Sequence, residues 1–82
     1  DAKNHVKAQL KHRVFRENQI LRFLQQKSAT SKELLPFIYP EVKFELIEAA
    51  ENNIYAHLIN LSEKNKIFAC GKISIKSKFF IN

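Results

Sequence analysis

The sequence predicts a small, mainly α-helical domain that ends in a β-hairpin. Three stretches have apolar residues every three or four positions, which is the spacing that buries one face of a helix. After residue 70 apolar and polar residues alternate instead, which favours a β-strand. Its 82 residues, with only one glycine and two prolines, are enough for one such domain and argue against disorder.

The first predicted helix covers about residues 2–26, a stretch without glycine or proline. Its apolar stripe consists of Val6, Leu10, Val14, Leu21 and Leu24. Ile20 and Phe23 widen the stripe near its end, so we expect the C-terminal half of the helix to be the more deeply buried. Residues 1–11 then form either an extension of this helix or a linker, and residues 12–65 form a three-helix core.

The second predicted helix covers Ser31–Ile38. Thr30 and Glu33 have the spacing of a capping box, in which each side chain accepts a hydrogen bond from the other residue's backbone N–H. Pro36 lacks an N–H and is tolerated because the helix is short. Pro40 ends the helix, since a proline disfavours helical backbone in the residue before it.

The third predicted helix covers about Leu46–Asn65. Its apolar stripe is spaced by three and four throughout and consists of Ile47, Ala50, Ile54, Leu58 and Leu61. The wing, residues 66–82, follows, with Ile73 and Ile75 alternating with polar residues and Gly71 supplying either the turn or a bulge. Three helices followed by a hairpin are the plan of a winged helix, a three-helix bundle plus a two-stranded wing, and we expect residues 1–82 to be a single domain.

The net charge of +6 is unevenly distributed along the chain. Residues 1–31 carry seven Lys or Arg against two acids, and residues 64–82 carry five lysines and no acid. Residues 32–63 carry two lysines against six glutamates. The basic ends indicate either an anionic partner such as nucleic acid, or a lysine-rich surface that is simply solvated.

Several classes of protein and site are disfavoured. No apolar run approaches the ~20 residues that span a bilayer, so we expect no membrane association. The single cysteine, Cys70, excludes an internal disulfide and, with only three histidines, gives no metal-ligand spacing, so we expect neither a metal nor another cofactor in this chain. No nucleophile motif or phosphate loop is present, so we expect no catalysis. A single cysteine also fits a reducing, intracellular setting. Because the chain contains no methionine, we expect it to be part of a longer protein.

Duplex DNA is not the favoured partner. In a helix-turn-helix protein the third helix enters the major groove and needs Lys or Arg nearby. Here it carries Glu45, Glu48 and Glu51, and no Lys or Arg occurs between Lys43 and Lys64. The candidates for contact with nucleic acid are instead Lys64, Lys66, Lys72, Lys76 and Lys78. Phe79 or Phe80 could stack on a base, but burial in the core is the favoured interpretation for each phenylalanine.

Three blocks of sequence point to a family. They are "HRVFRENQIL" (residues 12–21), "IYPEV" (residues 38–42) and "LIEAAENNIYAHLINLSEKNKIF" (residues 46–68). Together they resemble the β-lactamase-associated winged-helix family, the domain at the C-terminus of metallo-β-lactamase-like proteins. The pattern is matched at His12, Arg13, Arg16, Glu17, Ile20, Leu21, Ile38, Tyr39, Leu46, Glu48, Ala50, Asn53, His57, Leu58, Leu61, Lys66 and Ile67. It is not matched at Ile47, where a histidine is common, at Asn65, where a glycine is common, or in most of the wing.

The resemblance implies a parent hydrolase of the metallo-β-lactamase fold that cleaves single-stranded RNA. Two zinc ions would be held there by a His-x-His-x-Asp-His motif, which this chain lacks. The winged helix would pack on that catalytic domain and help to wall its substrate cleft. The residues that would face the catalytic domain or the substrate are His12, Arg13, Arg16, Asn53 and His57. Relatives of this kind occur in mitochondria and in the cytosol, and the compartment stays open.

Three functions therefore stand as alternatives. The favoured one is a non-catalytic domain of a zinc-dependent endoribonuclease, with its own catalytic domain and single-stranded RNA as partners. The second is a free-standing DNA-binding winged helix, and the third is a winged helix that binds only protein. If Arg13 and Arg16 have no docking role, the alternative is that they are exposed charged residues that pair with Glu17.

Overall fold

The computed structural model describes residues 2–81, with side chains described from residue 12 onwards. Along these residues the elements are α1 (Ala2–Gln26), α2 (Ser31–Ile38), a 3₁₀ turn (Phe44–Leu46), α3 (Ile47–Glu63), β1 (Phe68–Ala69) and β2 (Phe79–Phe80). The three helices and the antiparallel two-stranded sheet confirm the winged-helix fold. None of the helices in this described part is long and apolar enough to cross a lipid bilayer.

One apolar core joins all three helices to the wing. Its buried members are Ile20, Leu24, Ala29, Leu34, Ile38, Ile54, Leu58, Leu61, Ile67 and Phe79. The predicted stripe of α3 enters the core through Ile54, Leu58 and Leu61, because residues three and four apart lie on one side of a helix, whereas Ile47 and Ala50 at its start are only partly buried. Burial of these side chains at about 25 cal/mol per Å² is the main force that holds the helices together.

The apolar stripe of α1 is only partly used. Ile20 and Leu24 are buried, as the widening of the stripe near its end predicts. Val14 is 57% exposed, so its assignment to the buried stripe was wrong. The buried face of α1 begins at Glu17, one turn before Ile20, and Val14 lies before the region that α2 and α3 cover. The other two predicted members, Val6 and Leu10, lie outside the residues whose side chains are described.

The start of α2 has the predicted capping box. The backbone N–H of Glu33 donates to Thr30 Oγ1 at 3.1 Å, and the Thr30 N–H donates to Glu33 Oε1 at 3.0 Å. This hydrogen bond from the Thr30 backbone is the main cause that lowers the pKa of the Glu33 carboxyl. Pro36 is the sixth residue of the helix and is exposed, where its ring disturbs no packing. Tyr39 leaves the helical region, with φ −128° and ψ 69°.

The end of α3 explains how an asparagine serves at position 65, where the family resemblance led us to expect a glycine. Asn65 has φ 60°, in the left-handed region that glycine and asparagine tolerate best. The Lys66 N–H donates to the Leu61 carbonyl at 3.0 Å, and the Asn65 N–H donates to the Ser62 carbonyl at 3.0 Å. This pair of bonds is a Schellman motif, which turns the chain out of α3 and into the wing.

The wing differs from the prediction. Its strands are only two residues long, and the predicted strand through Ile73 and Ile75 is wrong, because residues 70–78 form the loop between the strands. The alternation fails because Ser74 and Ser77 bond locally: the Ser77 N–H donates to the Ser74 carbonyl at 3.0 Å, and the Ser74 N–H donates to Ser77 Oγ at 2.8 Å. Gly71, with φ +73°, begins this loop, so the turn assigned to it is confirmed.

Phe79 attaches the wing to the bundle. In the sheet it lies opposite Ala69, and on its other side its N–H and carbonyl exchange hydrogen bonds with Ala29 at 2.8 and 3.0 Å. Its ring is fully buried, which confirms the core interpretation over base stacking for this residue. Ser31 adds a second attachment, because its buried hydroxyl donates to the Ile75 carbonyl at 3.1 Å.

Candidate functional site

The candidate site is a groove where the middle of α1 meets the end of α2 and the middle of α3. Its volume is about 400 Å³. It is lined by His12, Arg13, Arg16, Tyr39, Asn53 and His57, and we call it the basic groove. The structure therefore places together the five residues predicted from sequence to face a domain or substrate, and it adds Tyr39.

Glu17 lies behind the groove and holds its α1 and α3 sides together. Asn60 Nδ2 donates to Glu17 Oε2 at 2.8 Å, and His57 Nδ1 donates to the same oxygen at 3.2 Å. Arg13 Nε lies 3.6 Å from that oxygen, one helical turn earlier on α1. Glu17 is only 8% exposed, and a carboxylate is stable at that depth because it is hydrogen-bonded and paired with a cation.

The pKa of Glu17 results from opposed effects. Burial, the largest single cause, raises the pKa of this carboxyl. The hydrogen bonds from Asn60 and His57, together with the charges of His57 and Lys64, outweigh burial, so the net direction is downwards. Glu17 is therefore a permanently ionised anchor at neutral pH and not a proton donor.

The bond to Glu17 also sets the orientation of His57. An ionised carboxylate can only accept, so Nδ1 of His57 carries the hydrogen that it donates. Nε2 is then the ring nitrogen left for a ligand in the groove, and it becomes a second donor when the imidazole is protonated. The imidazole side chain is 16% exposed, so it is oriented by its surroundings more than by solvent.

Arg16 is held at the C-terminal end of α2. Its Nη1 donates to the Ile38 carbonyl at 3.2 Å and to Gln19 Oε1 at 3.1 Å. Its Cζ lies 4.5 Å from the centre of the Tyr39 ring, a cation–π contact. A cation at a helix C-terminus stabilises the helix dipole, so Arg16 has a structural role as well as a place in the groove wall. Of the two arginines only Arg13 is paired with Glu17.

Tyr39 and Asn53 complete the groove wall. The Tyr39 hydroxyl donates to Asn53 Oδ1 at 2.8 Å. That bond occupies the amide oxygen and leaves the donors of the amide, which are on Nδ2, available to a ligand. The groove thus offers guanidinium N–H groups from α1 and amide N–H groups from α3, while the Glu17 carboxylate lies behind its wall.

The lining of the basic groove is cationic and rich in hydrogen-bond donors. Its lining residues supply hydrogen-bond donors and positive charge, and none of them is a serine, cysteine, aspartate or glutamate. Across the described residues, no three His, Cys, Asp or Glu side chains come close enough together to hold a metal ion. The free thiol of Cys70 is exposed in the wing loop.

The five candidate lysines lie in at least two places on the surface. Lys78 Nζ is 3.8 Å from Glu33 Oε1 at the start of α2, and Lys76 lines a second concavity with Lys32 and Glu51. Lys64 ends α3, thirteen residues after Glu51, or about 20 Å along a helix that rises 1.5 Å per residue. Lys66 and Lys72 are exposed, in the turn after α3 and in the wing loop. The lysines therefore do not form one compact site.

The start of α3, the position from which a helix-turn-helix protein contacts bases, is apolar and acidic. Phe44 is 85% exposed, and Leu46 and Glu48 next to it are also exposed. Glu45 is exposed as well. Phosphate neutralisation needs lysine or arginine at this place, and these residues offer neither.

Two residues that matter to the groove were not among the predicted site residues. Glu17 shares the buried face of α1 with Ile20 and Leu24, and an acid on an apolar stripe is a detectable sign of a buried, bonded carboxylate. Tyr39 had no such sign, because its place in the groove depends on how the end of α2 packs against α1.

Comparison with known families gives one match. The model of a family described as the beta-lactamase associated winged helix domain matches residues 30–73, which are 44 of the 82 residues. The match includes α2, α3 and β1, and therefore Tyr39, Asn53 and His57 of the groove. It does not include α1, which supplies the other half of the groove.

Proposed function

The chain belongs to the β-lactamase-associated winged-helix domain family, and from this membership we propose that it is the non-catalytic C-terminal domain of a zinc-dependent endoribonuclease of the metallo-β-lactamase fold. In this function it packs on the catalytic domain and forms part of the wall of a cleft for single-stranded RNA. The family association is with β-lactamase-fold proteins, while the reaction, the RNA and the zinc are our proposal.

The observation that carries the proposal is the basic groove. It consists of pre-positioned donors and cations without a nucleophile or metal ligands of its own. Such a surface binds an anionic chain and leaves the chemistry to another domain. The described residues offer no cluster that fits zinc, so the metal would be held entirely by the catalytic domain.

Exposed apolar residues on α1 favour docking through the side of this helix that faces away from the groove. Phe15 is 59% exposed and Val14 is 57% exposed, and both lie in the turn that carries Arg13 and Arg16. Neighbouring large apolar side chains at the surface are typical of interaction sites. We propose that this pair contacts the catalytic domain and so brings the groove to the edge of the cleft.

The experiment uses the parent protein loaded with zinc and an unstructured single-stranded RNA. We expect removal of the winged-helix domain to lower the cleavage rate strongly, because a misplaced cleft wall loses substrate positioning. A double variant, Val14→Ser with Phe15→Ser, should lower kcat/KM by at least about tenfold through weaker docking.

The matched control is Phe44→Ser with Leu46→Ser, which removes exposed apolar side chains at the start of α3 and should change kcat/KM by less than about twofold. A parent without a metallo-β-lactamase domain would refute the proposal. Full RNA cleavage by the parent without this domain would refute it equally.

A further inference from the structure

We propose that the basic groove is a phosphate-binding subsite that holds one backbone phosphate of a single-stranded nucleic acid. The identity of that strand as RNA rests on the proposed function, whereas the affinity for phosphate rests on the groove itself. The experiment below distinguishes binding of a backbone phosphodiester from binding of the free phosphate ion.

The charge of the groove favours an anion. The two guanidinium groups of Arg13 and Arg16 and the carboxylate of Glu17 behind them have together a formal charge of +1. Glu41 does not line the groove and lies in the neighbouring concavity, on the other side of Tyr39. Glu17 is buried behind the wall, and its Oε2 is already bonded to Asn60 and His57. It therefore orients the cations and presents little negative charge to a ligand.

The donors are held in place before a ligand arrives. Arg13 Nε lies 3.6 Å from Glu17 Oε2, and this ion pair holds the half-exposed guanidinium of Arg13 at the wall of the groove. Tyr39 fixes the amide of Asn53 through its oxygen. Binding to donors that are already ordered loses less side-chain entropy, so the affinity per contact is higher.

The arrangement suits phosphate better than a carboxylate. Donors reach the groove from two directions, with Arg13 and Arg16 on α1 and Asn53 on α3. A phosphate has oxygens on several sides and can accept from all of these donors at once, whereas a planar carboxylate is satisfied by one arginine fork.

The second concavity is less suited than the basic groove to bind a phosphate. It is lined by Thr30, Lys32, Glu51, Ile75 and Lys76, so a carboxylate faces any bound anion directly. Lys32 is exposed and lies outside the basic groove. It therefore provides a matched control for the loss of one positive charge.

The test uses the 82-residue chain labelled with ¹⁵N and two probes. In the first arm inorganic phosphate is titrated and amide chemical shifts are followed by NMR. We expect the largest shifts at Arg13, Asn53 and His57. In the second arm an unstructured eight-nucleotide RNA is bound at 50 and 200 mM salt, and we expect tighter binding than for free phosphate because neighbouring phosphates add electrostatic attraction.

Three variants separate a built subsite from diffuse charge attraction. Arg13→Gln should weaken RNA binding about tenfold, the effect of one charge-assisted contact, whereas Lys32→Gln should weaken it by less than about twofold. Asn53→Ala removes a neutral donor, so it should weaken binding without changing the salt dependence. Unchanged amide spectra away from each mutation confirm that the variants are folded.

Equal losses for Arg13→Gln and Lys32→Gln would overturn the subsite, since binding would then follow net charge alone. Phosphate-induced shifts confined to the wing loop would overturn it as well. If the groove binds phosphate and RNA but the parent cleaves no RNA, the subsite stands and the proposed function fails, so the two failures are distinguishable.

Discussion

Glu17 is the side chain on which the geometry of the basic groove depends. It is an acid on the buried face of a helix whose neighbouring turns are basic. Its Oε2 accepts hydrogen bonds from Asn60 and His57 and forms an ion pair with Arg13. Removing it leaves Asn60 and His57 without their shared acceptor, and buried polar groups without partners are expensive. Glu17→Ala should therefore disturb the groove as well as the fold, because the same bonds serve both.

The lowered pKa of Glu17 predicts acid sensitivity. The folded protein holds this proton more weakly than the unfolded chain, so the unfolded chain takes up the proton first as the pH falls. The stability that Glu17 contributes is complete above its ordinary pKa of 4.5 and is lost as the pH falls through the lower folded value. Urea unfolding between pH 6 and pH 3 should show this decline in the free energy of unfolding.

The control for that prediction is Glu17→Gln, which has the same shape but no titrating group. Its free energy of unfolding should fall less steeply below pH 4.5 than that of the unmodified chain. Some decline will persist in the variant because the pKa of Glu33 is also lowered. Parallel curves for the two proteins would show that Glu17 is not linked to stability.

At the scale of elements, α1 combines two different halves in one helix. Ile20 in the second half is fully buried, whereas Val14 in the first half is largely exposed. We expect Ile20→Ala to lower the free energy of unfolding by about 3 kcal/mol, because it leaves a cavity in the core. Val14→Ala should change it by less than about 0.5 kcal/mol, and a loss comparable to that of Ile20→Ala would mean that the first half is packed.

The end of α3 allows a test of its left-handed residue. Asn65→Ala should lower the free energy of unfolding by about 1 kcal/mol, because alanine is strained at a positive φ. Asn65→Gly relieves that strain but makes the unfolded chain more flexible. The free energy of unfolding of this variant should therefore stay within about 0.5 kcal/mol of that of the unmodified chain. Thermal unfolding of both variants checks this, and equal effects would show that the turn is not held at this φ.

At the scale of the whole molecule, the wing depends on the bundle for its position. A two-stranded sheet with two residues per strand is not stable alone. Phe79 supplies the missing support, with its ring in the core and its backbone bonded to Ala29 ahead of α2. The wing is therefore one cooperative unit with the helices.

Replacement of Phe79 should show this dependence. We expect Phe79→Ala to lower the free energy of unfolding by about 3–5 kcal/mol and Phe79→Leu by about 1–2 kcal/mol, as judged by urea unfolding. Phe80 is only partly buried, so Phe80→Ala should have an effect of about 1 kcal/mol. Equal effects at the two positions would contradict the assignment of Phe79 as the attachment.

The wing also shows where sequence patterns mislead. Alternation around Ile73 and Ile75 favoured a strand, yet serine hydroxyls and a positive φ at Gly71 gave the loop a better set of local bonds. Alternation of apolar and polar residues indicates which side chains would share a face of a strand. It does not indicate whether another strand is available to pair with it. The strands formed instead where Phe79 could be buried between Ala29 and Ala69.

The amino-acid sequence by itself determined the three helices, the buried residues in the second halves of α1 and α3, the capping box before α2 and the order of elements that makes a winged helix. These features depend on neighbours a few residues apart, and such neighbours are visible in the chain. Only the tertiary structure decided that Val14 is exposed, that Tyr39 joins the groove and that Glu17 lies behind it. Those outcomes depend on how far α2 and α3 cover α1, and contacts between residues twenty or forty positions apart are set by packing of the whole core.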